Sequence, residues 1–349
     1  MNKLSFVTIL LIVGLFLACE HKSGILREGE TNLEKPDQVL DIEKDESFLV
    51  DFPEVLHAHN VQIVYDSVLI IQDHQYEDAT LFKAYSIDNF HYLGSFVKQG
   101  RGPGEIIAPI AVCSDVRQSN LYVRDNATGI AYRVDVEKGL GAENVEFLHK
   151  VPLQENVIDW APLDSTFNLF LIREHNELII QLSGPQCHTF HPYKGIDANR
   201  FIAKLSSIII GNKINGKFVC ALLCFPQIII IDAINQEIYS SAVDPSYHKW
   251  ESILNAPFGP ESIQYYRNIT ASDKYILALY DGCPLSDLKK PGHMPSIHIF
   301  DWNGKFLYSL KIKESIGSIA YDARSSCLYC TDNSSGQIIR YDLSKVFGE

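Results

Sequence analysis

Five side chains in this 349-residue sequence have types and spacings suited to binding or transforming a ligand. His57 and His59 stand two apart, which puts both imidazoles on one face of a strand, as metal-ligating pairs require. A carboxylate such as Glu105 or Asp159 could extend the pair toward a zinc or calcium site. The spacing supplies no third ligand, so neither a metal nor another cofactor is expected. Arg101 and Glu105 belong to a glycine-rich run, Gly100-Arg101-Gly102-Pro103-Gly104-Glu105. A guanidinium held there could clamp an anionic group at the rim of a channel, or the two charges could simply pair. Trp160 completes the set: at a channel mouth an indole stacks on sugar or peptide, and between sheets it packs as core.

Other constellations carry less. Cys327-Leu328-Tyr329-Cys330 has redox spacing but reads as strand, where the two thiols face opposite sides instead of sharing a helix N-terminus. Cys220 and Cys224, extended on one strand, lie about 13 Å apart, too far for a disulfide. There is no Gly-x-Ser-x-Gly elbow, no His-Glu-x-x-His and no calcium loop, and Gly102-Pro103-Gly104 is followed by no Lys-Ser/Thr. The catalytic set is therefore expected to be empty.

The elements that must position these residues are strands. Leu121–Val136 aligns without gaps to Leu328–Leu343, with Leu, Tyr, Asp, Asn, Gly, Arg and Asp identical. Each copy reads strand, Asp-Asn…Gly turn, strand. Weaker copies begin at Val68, Asn168, Lys217 and Tyr275, so six units recur at 47–58 residues. Four short strands per unit at that period specify an all-β, six-bladed β-propeller. In the fifth unit an inner strand at Tyr266–Ala271 precedes Tyr275–Tyr280, Ser296–Trp302 and Lys305–Lys311, with Asn303-Gly304 as a tight turn. The sixth unit, opened by Ile316–Asp322, stops after three strands. Val39–Glu43 or Ser47–Phe52 is expected to supply the fourth, closing the ring and covering open strand edges. Asp159-Trp160 is expected to precede the third blade, and 281–295 to project from the fifth as a long loop.

Composition agrees. Hydrophobic residues make up 46% and charged residues 21%, which excludes a disordered chain, and 17 Tyr with 18 Phe suit strands. A net charge of −13 excludes nucleic-acid binding, because no basic patch is available to neutralise phosphates.

The N-terminus reads differently. Lys3 precedes an apolar run, Leu4–Ala18, shorter than the roughly 20 residues that span a bilayer, as in a secretory signal. Leu15-Phe16-Leu17-Ala18-Cys19 resembles a bacterial lipobox, which makes Cys19 the lipidated first residue of the mature chain. Cleavage there removes Lys3 and leaves 29 positive against 43 negative charges, or −14. Residues 1–18 are thus read as signal peptide, 19–37 as a polar tether and 38–349 as the propeller. Of the seven remaining cysteines most are expected to be buried thiols.

Lipobox, first-blade hairpin, G-R-G-P-G-E loop and degenerate blades together resemble the TolB-like six-bladed β-propeller lipoproteins of Gram-negative bacteria and, more distantly, NHL-repeat propellers. The resemblance implies an exported protein, lipid-anchored in the cell envelope on the periplasmic or surface face, and it implies no particular reaction. The expected function is non-catalytic binding by a monomer of an envelope protein, peptide or glycan, using Arg101, Glu105, His57, His59 and Trp160. The competing class is a metal-dependent, lactonase-like hydrolase or lyase, which requires three or more ligating side chains converging on the axis.

Overall fold

The computed structural model describes residues 24–349 except 49, 74–79, 113–120, 141–146, 153–155, 163–167, 185–186, 289, 291 and 349. Six antiparallel sheets follow one another along the chain. Their second strands begin at Val68, Leu121, Asn168, Lys217, Tyr275 and Cys327, so the fifty-residue repeat is the blade repeat. The inner strands are Ala58–Val64, Pro109–Val112, Val157–Pro162, Ser207–Asn212, Ile263–Ala271 and Ile316–Asp322.

The residues shared by the two best copies are turn residues. Asp125 and Asp332 accept from the backbone N–H two positions on (Ala127, 3.0 Å; Ser334, 2.9 Å) and from the hydroxyl three positions on, those of Thr128 and Ser335. Gly129 and Gly336 take φ of 66° and 71°, where a Cβ is strained, and donate to the carbonyls of the same aspartates. Asp135 then caps the short helix Val136–Gly139, and Asp342 accepts from the Ser344 N–H that opens Ser344–Phe347.

Apolar faces bury between blades, and successive sheets share packed clusters all the way round. One of them joins Ala320 and Tyr329 of the sixth blade to Val61 and Tyr85 of the first. Polar stitches join inner strands. Ile319 and Tyr321 donate their backbone N–H to Asn268 Oδ1 and Thr270 Oγ1, and Ser318 Oγ donates to Asn60 Oδ1 at 2.9 Å.

The N-terminal segment departs from expectation. Gly24 onward is packed, not a tether: Ile25 and Leu26 are 0% and 3% exposed, in a cluster with Phe190, Tyr193, Phe225 and Leu254. Glu30–Leu33 pairs parallel with Glu237–Ala242, the outer strand of blade four. Gln38–Asp41 pairs parallel with Phe306–Lys311 of blade five, so the 39–43 stretch does not enter the final blade as the sequence suggested. Among the described residues the sixth blade has three strands. At its outer edge Asp45 N–H donates to the Arg340 carbonyl (2.7 Å), Arg340 Nε donates to Asp45 Oδ2 (3.0 Å), and Phe48 packs on Tyr329. One segment thus adds a parallel strand to the outer edges of blades four and five and then packs along the edge of blade six, covering edges that would otherwise be open.

Candidate functional site

Strand direction alternates within each blade. The connections between blades and the turns joining second to third strands therefore share one face, here called the loop face.

His57 lies there and is exposed, its N–H donating to Asp73 Oδ1 (2.8 Å) beside the Gly336 turn. His59 is also exposed. The glycine-rich loop does not reach the channel rim. Glu105–Ile106 pairs parallel with Lys98–Gln99, outside the outermost strand of blade one. Glu105 Oε2 accepts from Gly102 N–H at 2.7 Å, and a Cβ on Gly100 would lie 2.0 Å from the same oxygen. The glycines thus make room for a carboxylate that closes the loop on itself, and Arg101 is left exposed with no ion pair to Glu105 among the described residues. Trp160 is 2% exposed, inside the third blade's inner strand and not before it. Its Nε1 donates to Asn168 and its ring meets Tyr122 edge-on, so it is core and not a stacking platform. The five residues are thus dispersed between perimeter, core and loop face.

Among the inner strands, a cavity between Asn60, Gln62, Asn268, Thr270 and Tyr321 has about 40 Å³, room for little more than water, and Asn60, Asn268 and Thr270 take part in the stitches. Among the described residues no three His, Cys, Asp or Glu side chains are grouped to hold a metal ion. Most of the seven cysteines are buried, as expected: Cys220, Cys224, Cys327 and Cys330 are buried, Cys283 is half-buried, Cys187 is exposed and Cys113 lies outside the described residues.

The larger space is off axis. A pocket of about 530 Å³ opens on the loop face between blades four and five, within the ~300–1,000 Å³ of small-molecule sites. Three segments build it: the helix Ala198–Leu205, the turn after Leu222, and the connection 243–262 containing the helix Trp250–Asn255. Ile253, Ala256, Pro257, Pro260, Ile263 and the Tyr265 ring give it an apolar lining. Lys204, 5% exposed, donates to the carbonyls of Ile253, Leu254 (3.1 Å) and Ala256, capping the C-terminus of Trp250–Asn255. Burial lowers the Lys204 pKa and pushes the Cys224 thiol up to about 11, with the Lys204 charge opposing the latter. Tyr265 shares a hydroxyl contact with Ser246 at 3.3 Å. No motif announces this site, because each of its walls comes from a different loop.

Two groups elsewhere, half-buried Asp159 and buried His298, give the protein an opposed acid response. Burial pushes Asp159 up to about 6, against backbone hydrogen bonding and Arg124, and pushes His298, stacked on Tyr280, down to about 3. As pH falls below about 6.5 the unfolded imidazole takes a proton that folded His298 refuses, and stability is lost. Between about 6 and 3.9 folded Asp159 takes a proton that the unfolded carboxylate refuses, and stability is gained. Relative to wild type, His298→Gln should gain stability as pH drops from 6 to 4, and Asp159→Asn should lose it. Urea melts across that range read both slopes.

A family model described as TolB-like 6-blade propeller-like matches residues 55–323. Among solved structures, the chain is similar to a member of the duf4221 family from Bacteroides vulgatus: 11% identity, 87% of this chain, 95% of that one, TM-score 0.53. It is also similar to a Bacteroides fragilis protein described as exported, at 10% identity over 89% of this chain and 98% of that one, TM-score 0.47. No curated protein matches.

Proposed function

The chain belongs to the TolB-like six-blade propeller family, and from that premise we propose that it is a non-catalytic binding module, exported and lipid-anchored through Cys19, which receives its ligand in the loop-face pocket between blades four and five. One observation carries the reading: the pocket has the size and apolar lining of a ligand site, while its two nucleophile-type side chains are held out of reaction. Lys204 spends its N–H groups on three carbonyls, and Cys224 is kept as a thiol at neutral pH. Binding then moves from the channel, where the sequence placed it, to the loops, where propellers vary most freely.

The test uses a neutral apolar dye, Nile red. Gly259 lines the pocket, and a Cβ added there meets nothing within 4 Å, so Gly259→Trp adds an indole at the pocket wall without a steric clash at its Cβ. The dye is expected to brighten with wild type and not with Gly259→Trp; equal brightening, or none with either, overturns the site. Anchoring is tested separately. Cys19→Ser is expected to abolish metabolic labelling with an alkyne fatty acid and to move the protein from the membrane to the soluble fraction. Retained labelling would disprove lipidation at this residue.

A further inference from the structure

The pocket and the N-terminus are neighbours. Gly24 lies against Tyr247, close enough that a Cβ would sit 2.9 Å from its ring, and the Arg27 guanidinium stacks 4.2 Å over Trp250. Tyr247 stands between Ser246 and Lys249, which both line the pocket. Four residues lie between Cys19 and Gly24, five backbone steps with a reach of at most about 18 Å. A lipid on Cys19 therefore holds this part of the loop face beside the bilayer.

The charges in the wall are unusual for this chain. Lys204 and Lys249 stand against Glu261, a local excess of one positive charge on a protein of net −13. Lys204 contributes only its field, since its N–H bonds are committed to the helix end. Lys249 is exposed and makes no hydrogen bond or ion pair among the described residues, so its ammonium is available to a ligand. Phe258, 53% exposed, projects from the loop that supplies Pro257 and Pro260 to the lining, as suits a surface close to hydrocarbon.

We propose that the ligand is a single-chain anionic amphiphile, a long-chain fatty acid in chemical terms, with its hydrocarbon against the Ile253–Tyr265 lining and its carboxylate on Lys249. The proposal rests on the binding reading above and narrows it to one ligand class; the anchor sets the pocket beside a supply of such molecules. The carboxylate would gain a charge-assisted hydrogen bond that an alcohol of the same chain length forms only weakly.

Displacement of Nile red from the full mature chain by oleate and by oleyl alcohol, both below their aggregation concentrations, separates the two levels. Oleate is expected to displace the dye at about tenfold lower concentration than the alcohol, the ratio that one charge-assisted contact supports. Lys249→Glu, an exposed substitution, should erase that preference by weakening displacement by oleate far more than displacement by the alcohol. Equal potency of the two probes in wild type, or a preference that survives Lys249→Glu, overturns the anionic amphiphile. Dye bound in the pocket and displaced by neither probe also overturns it, while the binding reading stands. Failure of the dye to bind at all overturns both.

Discussion

A mature chain lacking residues 24–33 is expected to lose cooperative folding. Ile25 and Leu26 are buried among Phe190, Tyr193, Phe225 and Leu254, and Glu30–Leu33 covers the outer edge of blade four. Truncating either aliphatic side chain to alanine costs about 2–5 kcal/mol, and the deletion removes both together with a strand ladder. The sum approaches the roughly 5–15 kcal/mol by which a domain is stable at all. The exposed edge would also invite aggregation. Soluble yield and the urea midpoint give the readout, with Ile25→Ala as the milder companion, expected to fold with a lowered midpoint. A sharp, unshifted transition in the deletion would show that the strap only decorates the ring. The polarity of residues 20–38 suggests the opposite, a dispensable tether.

The second large effect lies at the base of the fifth-blade insertion. Asp281 has a fully buried side chain; its Oδ1 accepts from Arg267 Nη2 and from His293 Nε2, each at 2.9 Å. Arg267 also donates to the Ile316 carbonyl of blade six at 2.6 Å. Asp281→Ala leaves a largely buried guanidinium without its counter-charge, and breaking such a pair from one side costs about 3–5 kcal/mol. Replacing both partners with apolar groups, Arg267→Met with Asp281→Leu, should recover most of that loss, because no buried charge remains. Urea melts of the two singles and the double decide it. A double variant as unstable as Asp281→Ala would show that the cost is shape and not charge. Loss of the His293 contact should also speed proteolysis within 284–295.

What the sequence revealed and what it hid follow one physical line. Blade starts were legible because a strand ends where an aspartate folds the backbone onto its carboxylate, and Asp125/Gly129 and Asp332/Gly336 do so with the same bonds. The third blade lacks such a turn, which is why the sequence puts Asp159-Trp160 before the blade although both lie within its inner strand. The strap left no mark, since parallel pairing needs no turn and only two aliphatic side chains anchor its start. The pocket was hidden for a related reason: Lys204, Cys224 and Lys249 are brought together by the ring and by no local spacing. Asp281 stands in the second strand of blade five as Asp73 and Asp125 do in blades one and two, but its partners Arg267 and His293 are specific to the fifth blade. In blades one and two the corresponding Asp73 and Asp125 hold backbone N–H groups instead.

The strap also dictates an order of assembly. Thr31 bonds to Ser240 across 209 residues, Lys305 to Asp37 across 268 and Arg340 to Asp45 across 295. The start of the described chain thus has partners that lie late in the sequence. Contacts of such separation bear the largest loop-closure entropy and form late. Blades one to three can complete their ladders on their own, whereas the outer edges of blades four to six wait for the strap to return to them. Refolding from urea should therefore show an early phase in blades one to three and a slower one, reported by Trp250, as the strap engages.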